Sequence, residues 1–567
     1  MIFFDMEVYK YDWFLVAIDA SARKETVIVN DKDKLEKYYS IHCEDIWSGF
    51  NVNHYDQYIF KGILCGFNPK KINDFIIIDG KPGWQFSDLF RKFKLYTFDI
   101  MQRIDRGLKV FEGFMGCDIR ESDVPFDIDR KLTQDEIRRT IGYCRNDVEE
   151  CMNVFVKRLE EFNTVMYFIN HFDLPISDIS KTKPQLAAKI LGGNYKGASF
   201  DDEFGFEILP CIELKKYRHI ADWYTRPENH DYSKHQSATV CGVPHTFAWG
   251  GGHGAIPKYH EKGIFLIVDV TAYYPSLQEK FHFGYRVMNN PENFEFIHNS
   301  NIKFKRSGDK KARQPFKIMD NAISGQMKQK TSALYDPMGN NSICINGQLL
   351  LLDLIEHLEP YCTLVNNNTD GVIIKLRDYE DFDRVDDIVY DWECRTGMKM
   401  DIDQFFGEIY QKDVNNYLIV DRETGDIKCK GAYLKKKSDL DYDMAIVQKA
   451  LVEYMLHGTP VESTIFGCDD LKEFQMVKKI GMKYSRIEHG GSILNEQCVR
   501  CFASKNSADG GLIKFHAKTK RPAKVEGTPE HCFLWNGVVN GEKVPAKLDK
   551  QWYVEEANKR LKGFGVI

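Results

Sequence analysis

The sequence predicts a multidomain protein that combines α/β and α+β architecture. Its 567 residues exceed what one hydrophobic core organises, so roughly three to five domains or subdomains are expected. The opening stretches MIFFDMEV and WFLVAID read as strands. TQDEIRRTIGYCRNDVEECMNVFVKRLEEF reads as a long amphipathic helical stretch. Farther along, GIFLIVDV reads as a buried strand, ICINGQLLLLDLIEHL as a buried helix, and LVNNNTDGVIIKL as a tight β-hairpin. In that hairpin Asp370-Gly371 would supply the positive φ angles of the turn.

Bulk properties narrow the class. Composition is globular, with 43% hydrophobic, 28% charged and 13% aromatic residues. No apolar run reaches the ~18 residues of a membrane span. MIFFDMEVYK has acids and no basic segment of the kind that opens a secretory signal, so a cytoplasmic protein without a membrane partner is expected. Fifteen scattered cysteines imply reduced thiols. Cys498 and Cys501, with His531-Cys532 downstream, have zinc-like spacing, and a structural zinc is the alternative there. A net charge of −6 and a pI near 6.3 exclude a uniformly basic nucleic-acid coat but not a nucleic-acid enzyme with local clusters. Residues 303–330 hold nine Lys/Arg against two Asp, residues 428–437 hold five Lys, and residues 514–524 are again basic. Such clusters are either solvated faces or contacts to a phosphate backbone.

Acids in the first 165 residues form a pattern. Asp5 and Glu7 sit two apart on a strand, so both face one side. An otherwise apolar strand does not bury two acids without a cation. Asp56 follows a cluster of amides and a tyrosine, and Tyr143 and Asp147 lie four apart on one helix face. Four carboxylates and a phenol suffice to hold two divalent ions about 4 Å apart for in-line attack on a phosphodiester. Oxygen ligands imply magnesium or manganese rather than zinc. Tyr143 would orient the attacking water, and Asn51 or Asn53 would steady the strand. In this order the residues resemble the three motifs of DEDD-type 3′–5′ proofreading exonucleases in the YxxxD variant. The resemblance implies an RNase H-like exonuclease domain over residues 1–165.

A second acidic site begins at FLIVDVTAYYPSLQ. Asp269 ends an apolar strand, a position where aspartate also serves as a helix N-cap. The stretch resembles the DxxSLYPS motif of family B DNA polymerases, matching at Asp269, Tyr274, Pro275 and Ser276, with Ala272 and Tyr273 departing from it. FKIMDNAISGQM resembles that family's KxxxNSxYG helix at Lys317, Asn321 and Gly325. Lys310 and Arg313 precede Lys317 by seven and four residues, so an unbroken helix would align the three as a basic strip for a triphosphate, although Pro315 could shorten or kink it. NNNTDG resembles the family's DTDS hairpin, with Asp370 as the second aspartate, Asn368 replacing the first and Gly371 replacing Ser. The resemblance implies that Asp269, the Val270 carbonyl and Asp370 bind two Mg²⁺ or Mn²⁺ ions. It also implies that Tyr274, with Tyr273, contacts the deoxyribose and excludes ribonucleotides. VNNYLIV…IKCKGAYLK resembles the family's Lys-x-Tyr segment, with Tyr417, Lys430 and Gly431 matching and Asn415 replacing the lysine. AWGGGHGA resembles its aromatic-x-Gly-Gly linker, with Gly251 and Gly252 as template contacts.

The whole chain thus resembles a compact, phage-like family B DNA polymerase with a right-hand polymerase region. The implied organisation is exonuclease 1–165, linker and palm-associated region 166–262, palm 263–290, fingers 291–335, palm 336–412, and thumb with C-terminal region 413–567. The implied partners are a primed DNA template, dNTPs, a single-stranded 3′ end and phage replication proteins, in the cytoplasm of an infected bacterium. Only about 40 residues separate Ser276 from Lys317, which favours ordinary primer extension over protein priming. The alternatives are a 3′–5′ exonuclease with a degenerate polymerase half, suggested by Asn368, and a non-catalytic DNA-binding scaffold.

Overall fold

Residues 2–8 form a strand, β1 (Ile2–Val8), whose alternation serves two different layers. Ile2, Phe4, Met6 and Val8 enter an apolar core with Leu15, Trp47 and Phe60, while Phe3, Asp5 and Glu7 take the opposite face. The structure is a computed structural model and describes residues 1–101, 106–197, 200–481 and 483–566. It divides into two units. The first comprises Met1–Thr182, Lys437–Ile446 and Cys468–Tyr553; the second comprises Lys183–Lys436, Val447–Gly467 and Val554–Ile567. The expected mixed α/β character is present in several sheets and many helices. Among the described residues, no helix is long and apolar enough to cross a membrane.

In the first unit, β2 (Trp13–Asp19) and β3 (Lys24–Val29) join β1 by antiparallel pairing. β4 (Ile46–Gly49) and β5 (Tyr96–Asp99) extend the sheet in parallel, giving the order β3-β2-β1-β4-β5. The helix Gln134–Lys157 meets β1 through Phe155, whose ring lies 5.1 Å from that of Phe3. It starts at a capping box between Thr133 and Glu136, which satisfies its first backbone donors. The single long helical stretch expected from sequence is two helices, interrupted at Arg158 before Leu159–His171.

A three-stranded sheet of the same unit, Met476–Lys479, Cys498–Ala503 and Cys532–Leu534, grips the short helix Leu108–Met115. Arg500 is the grip. It is fully buried and donates to the carbonyls of Gly113 (2.9 Å), Cys117 (2.8 Å), Gly537 (2.6 Å) and Trp535 (3.3 Å). Carbonyls at a helix C-terminus carry partial negative charge and suit a cation. Burial still pulls the guanidinium down to about 10. Gly113 has no room for a side chain, because a Cβ would lie 2.7 Å from Val477 Cγ1. Cys498 and Cys501 stand three apart on a strand and so face opposite sides. Among the described residues they join no group of three ligand atoms within 4.8 Å of one another.

The second unit is built on a nine-stranded antiparallel sheet, ordered β14-β13-β12-β9-β11-β10-β8-β7-β6. Its strands are β6 (His235–Val240), β7 (Val243–Ala248), β8 (Gly251–Ala255), β9 (Tyr259–Val270), β10 (Cys362–Asn367), β11 (Gly371–Leu376), β12 (Met400–Asp413), β13 (Asn416–Asp421) and β14 (Ile427–Lys430). The apolar helix Pro337–Leu358 packs on the face that holds Leu266, Val268, Val372 and Ile374. The opposite face holds Phe265, Ile267, Ile373, Phe405 and Ile419. The glycine run, expected as a linker or as a close approach of backbones, is strand β8. Gly252 and Gly254 are glycine because a Cβ would lie 3.0 Å from the Phe247 ring and 2.3 Å from the His245 ring. Sequence reading also grouped residues 413–567 as one region, whereas residues 416–430 are sheet strands of this unit and Cys468–Tyr553 belongs to the other.

Replacing Arg500 by leucine leaves the buried Gly113 carbonyl and the part-buried Cys117, Trp535 and Gly537 carbonyls without their donor. The expected loss is roughly 3 kcal/mol or more of stability, since each unsatisfied buried group costs about 1–3 kcal/mol. Urea unfolding of the two proteins measures it, and a loss below about 1 kcal/mol would show that water replaces the guanidinium.

Candidate active sites

Asp5, Glu7 and Asp147 offer carboxylate oxygens that all lie within 4.8 Å of one another, the one such group of three among the described residues. Period two aims Asp5 and Glu7 from β1, and the facing helix delivers Asp147. Asp56, 3% exposed in the first turn of the helix Asp56–Leu64, accepts from the Met6 backbone N–H at 3.2 Å. Cys144 donates its thiol to Asp5 at 3.3 Å. Burial, followed by the charge of Asp147, raises Asp5 from 3.8 to about 7. Burial and the neighbouring acids hold Glu7 and Asp56 well above their ordinary values. Like charges packed this closely favour either a bound proton or a bound cation. The donor set is all oxygen, as hard divalent ions prefer.

Sequence reasoning missed the residue that answers this charge. Lys109, from the helix gripped by Arg500, lies 2.8 Å from Asp147 and 3.0 Å from the fully buried Glu112. Its ammonium also sits 4.7 Å from the centre of the Tyr143 ring. Burial acts to lower Lys109, but Asp147 and Glu112 outweigh it and hold it above its ordinary value. The Tyr143 hydroxyl donates to Glu121 at 3.3 Å, and burial with the Asp147 charge pushes it up. Asp99 accepts from the backbones of Asn51, Asn53 and Met101, each at 2.9 Å, and so shapes the loop ahead of Asp56. The Asn53 amide is engaged by Ser180 and Thr97, which corrects its expected role of steadying a substrate strand. Asn51 adopts a positive φ of 66° in that loop. Lys109, Glu112 and Asp99 carry no motif, so only folding could reveal them.

At the second site, β9 and β11 pair with Gly371 opposite Asp269, and the Val270 N–H donates to the Asp370 carbonyl at 2.8 Å. Asp269 continues the row of Phe265 and Ile267, and Asp370 is exposed in the hairpin loop. Neither Asp370 nor Gly371 has the positive φ expected of an Asp-Gly turn. The loop is Asn368-Thr369-Asp370, and Gly371 belongs to β11. Glycine is required there for space, because a Cβ would lie 2.2 Å from Asp269 Oδ1 and 2.6 Å from the Val268 carbonyl. Asn368 donates to Asp370 at 3.3 Å. Two further acids come from β12: Asp401 pairs in register with Asp269, and Asp403 follows on the same face. Lys428 bridges Asp269 (3.1 Å) and Asp403 (2.8 Å), while Lys305 holds Asp401. Burial raises Asp269, Lys428 opposes it, and the charges of Asp370 and Asp403 add to the rise.

The helix Lys310–Ser324 is continuous through Pro315, with Asp309 capping its start. Lys310, Lys317 and Asn321 are exposed on it, while Arg313 is partly buried and donates to Asn301 at 2.9 Å. Tyr274 is partly buried beside Gly347, and burial raises its hydroxyl. Tyr273 is corrected: it is 4% exposed, its hydroxyl donates to the Gly347 carbonyl at 2.7 Å, and it is core rather than substrate contact. Tyr417 pairs in register with Lys430 but is 7% exposed within the apolar row, so Lys430 is the member that solvent reaches. Gly251 and Gly252, expected to contact template, are buried in β8.

No protein-family model matches the sequence, and no curated protein matches it. Among solved structures, the chain is similar to the family B DNA polymerase from the hyperthermophilic archaeon Pyrobaculum calidifontis. The match covers 100% of this chain and 78% of that one, at 13% identity and a TM-score of 0.42.

Two outcomes test this geometry. Folded Asp5 keeps a proton that the unfolded chain has lost between pH 3.8 and about 7, so stability in chelator should fall as pH rises through that window. The slope should be shallower in Asp5→Asn, and saturating magnesium should raise the wild-type Tm more at about pH 7.5 than at about pH 5. Equal slopes would remove the buried-proton account. Gly371→Ala should cost roughly 1–3 kcal/mol in urea unfolding, because the clash is with backbone as well as with Asp269. A cost near zero would show that the strands yield.

Proposed function

We propose that the protein is a template-directed DNA polymerase that extends a primer 3′-hydroxyl with dNTPs and carries a 3′–5′ exonuclease activity for proofreading. On this reading the first unit contains an RNase H-like exonuclease domain, and the second contains palm and fingers of a right-hand polymerase of family B. The observation that supports it most is the β9–β11 register. Two acids 101 residues apart in sequence stand at the same end of neighbouring strands. The phage-like type, with action in the cytoplasm of an infected bacterium alongside phage replication proteins, extends the proposal on the sequence resemblance alone. The short stretch between Ser276 and Lys317 is occupied by helices (Tyr273–Phe281, Pro291–Arg306 and the start of Lys310–Ser324), which supports ordinary primer extension.

Oxygen donors suit hard divalent cations: at the first site Asp5, Glu7 and Asp147 cluster, and burial with neighbouring acids raises Asp5 and Glu7, while at the second site burial raises Asp269 and Asp370 adds to the rise. Two magnesium or manganese ions per site would be held by Asp269, the Val270 carbonyl and Asp370, and by Asp5, Glu7, Asp56 and Asp147; they would neutralise phosphate charge and acidify the attacking oxygen. The protein's own groups position the substrates, which is most of what phosphoryl transfer asks of it. Lys317, Lys310 and Arg313 bind the triphosphate as cations, and Asn321 lies on the same exposed stretch. The Tyr274 ring packs under the deoxyribose and collides with a 2′-hydroxyl. Lys430 contacts the primer–template backbone. In the other site Tyr143 orients water on the 3′-terminal phosphate of a single strand. Lys109 supplies positive charge where the scissile phosphate gains negative charge.

Asp370→Ala should abolish dNTP addition to a primed template and leave 3′-end trimming, whereas Asp5→Ala should do the reverse. Primer-extension gels with and without dNTPs read both, with losses of about 100-fold or more expected for a metal-ligand aspartate. Trimming by the wild type without any synthesis would favour the exonuclease with a degenerate polymerase half. Binding of DNA with neither activity would favour the scaffold.

A further inference from the structure

The second unit contains a buried polar chain that the proposed chemistry does not use. His298 is 2% exposed, Asp320 1% and Asn301 3%. His298 Nδ1 lies 3.0 Å from Asp320 Oδ2, and Nε2 lies 3.2 Å from Ser276 Oγ. The Asn301 amide donates to the same Asp320 oxygen at 2.8 Å, and its carbonyl accepts from Arg313 Nε at 2.9 Å. Ser276 donates its hydroxyl to the Thr271 carbonyl at 2.9 Å. Glu279 stands 3.8 Å from His298 Nε2.

Serine, histidine and aspartate in this order resemble an acyl-transfer relay, but the Ser276 proton is committed to Thr271 and the imidazole is sealed from solvent. The chain instead runs between three helices. Ser276 lies on the helix that begins four residues after Asp269 (Tyr273–Phe281), His298 and Asn301 on Pro291–Arg306, and Asp320 and Arg313 on Lys310–Ser324. Apolar contacts between helices tolerate sliding and rotation, whereas a buried, directional hydrogen-bond chain does not. Asp320 has one further oxygen with no hydrogen-bond partner, so its carboxylate depends on His298 and Asn301 for compensation.

We infer that His298 is a positioning residue: through Asp320 and Ser276 it fixes the rotational setting of the basic helix relative to the strand end that bears Asp269, and so sets where Lys317 and Arg313 meet a nucleotide triphosphate. This rests on the polymerase reading above. Asp320 and Lys317 share that helix three residues apart, so rotation that breaks the Asp320 contact also re-aims Lys317. Arg313 is coupled through Asn301, which leaves its remaining guanidinium nitrogens with a defined direction. The setting matters for substrate placement and not for hydrolysis at the Asp5 site, which belongs to the other unit.

The test compares wild type, His298→Phe and Ser276→Ala in steady-state primer extension, with trimming of a single-stranded oligonucleotide as an internal control. Phenylalanine fills the imidazole volume and removes both of its hydrogen bonds; Ser276→Ala removes the hydroxyl's bonds to His298 and to the Thr271 carbonyl with little change of volume. KM for dNTP should rise about 10-fold in His298→Phe and about 3-fold in Ser276→Ala, kcat should change less than KM, and trimming should be unchanged. His298→Gln, which retains a side-chain amide, should recover part of the KM. A KM equal to wild type in Ser276→Ala and His298→Phe overturns the inference while the polymerase reading stands. An equal fall in trimming and synthesis, with a lowered Tm, overturns it in favour of a general structural role. A wild type that extends no primer removes the polymerase reading and this inference with it.

Discussion

Carboxylates that are crowded together and taken out of water need positive charge, and both acidic sites are organised around that need. In the first, Asp5, Glu7 and Asp147 converge within 4.8 Å, and Lys109 reaches them from a separate helix. In the second, Asp269 meets Lys428 from β14, and Asp401 meets Lys305 from the helix Pro291–Arg306. Repulsion between like charges in a low effective dielectric is strong, so a site of this kind persists only where rigid elements hold it. Each acid is accordingly placed on a strand, a helix or the loop of a paired hairpin. The elements that bring the lysines are anchored in turn, as Arg500 anchors the helix of Lys109 through four carbonyls.

Close approach of backbones is the second recurring device. Gly371, Gly252, Gly254 and Gly113 are each glycine because a side chain would meet an atom 3.0 Å away or closer. None of the four has a positive φ, so their role is to omit volume rather than to permit an unusual turn. At Gly371 the omitted volume is occupied by Asp269 itself. The chain thereby brings the hairpin against the strand that ends in the acid, and this short distance lets Asp370 contribute to the electrostatics of Asp269.

The basic clusters resolve into distinct kinds of residue. Of residues 303–330, Lys305 is paired with Asp401 and Arg313 is held by Asn301, while Lys310 and Lys317 remain exposed. Of residues 428–437, Lys428 is committed to Asp269 and Asp403, and Lys430 is half-buried opposite Tyr417. Composition therefore overstates the number of cations open to a phosphate partner.

The sequence by itself determined what depends on local pattern. Period two put Asp5 and Glu7 on one face of β1, the helical period put Tyr143 with Asp147, and the apolar arms around residues 364–376 gave a hairpin. Those rules follow from backbone geometry and need no neighbours. Tertiary structure alone decided the rest. A glycine-rich run became strand β8 because Phe247 and His245 lie against it, Tyr273 became core because Gly347 accepts its hydroxyl, and Gly371 took a strand conformation beside Asp269. Lys109, Asp403, Lys428 and His298 stand in no motif. Apart from the local Lys109–Glu112 pair, the partners Asp147, Asp320, Asp269 and Asp403 lie 22 to 159 residues away along the chain, and electrostatic partners at that separation are chosen by packing, which a local reading of residue types does not contain.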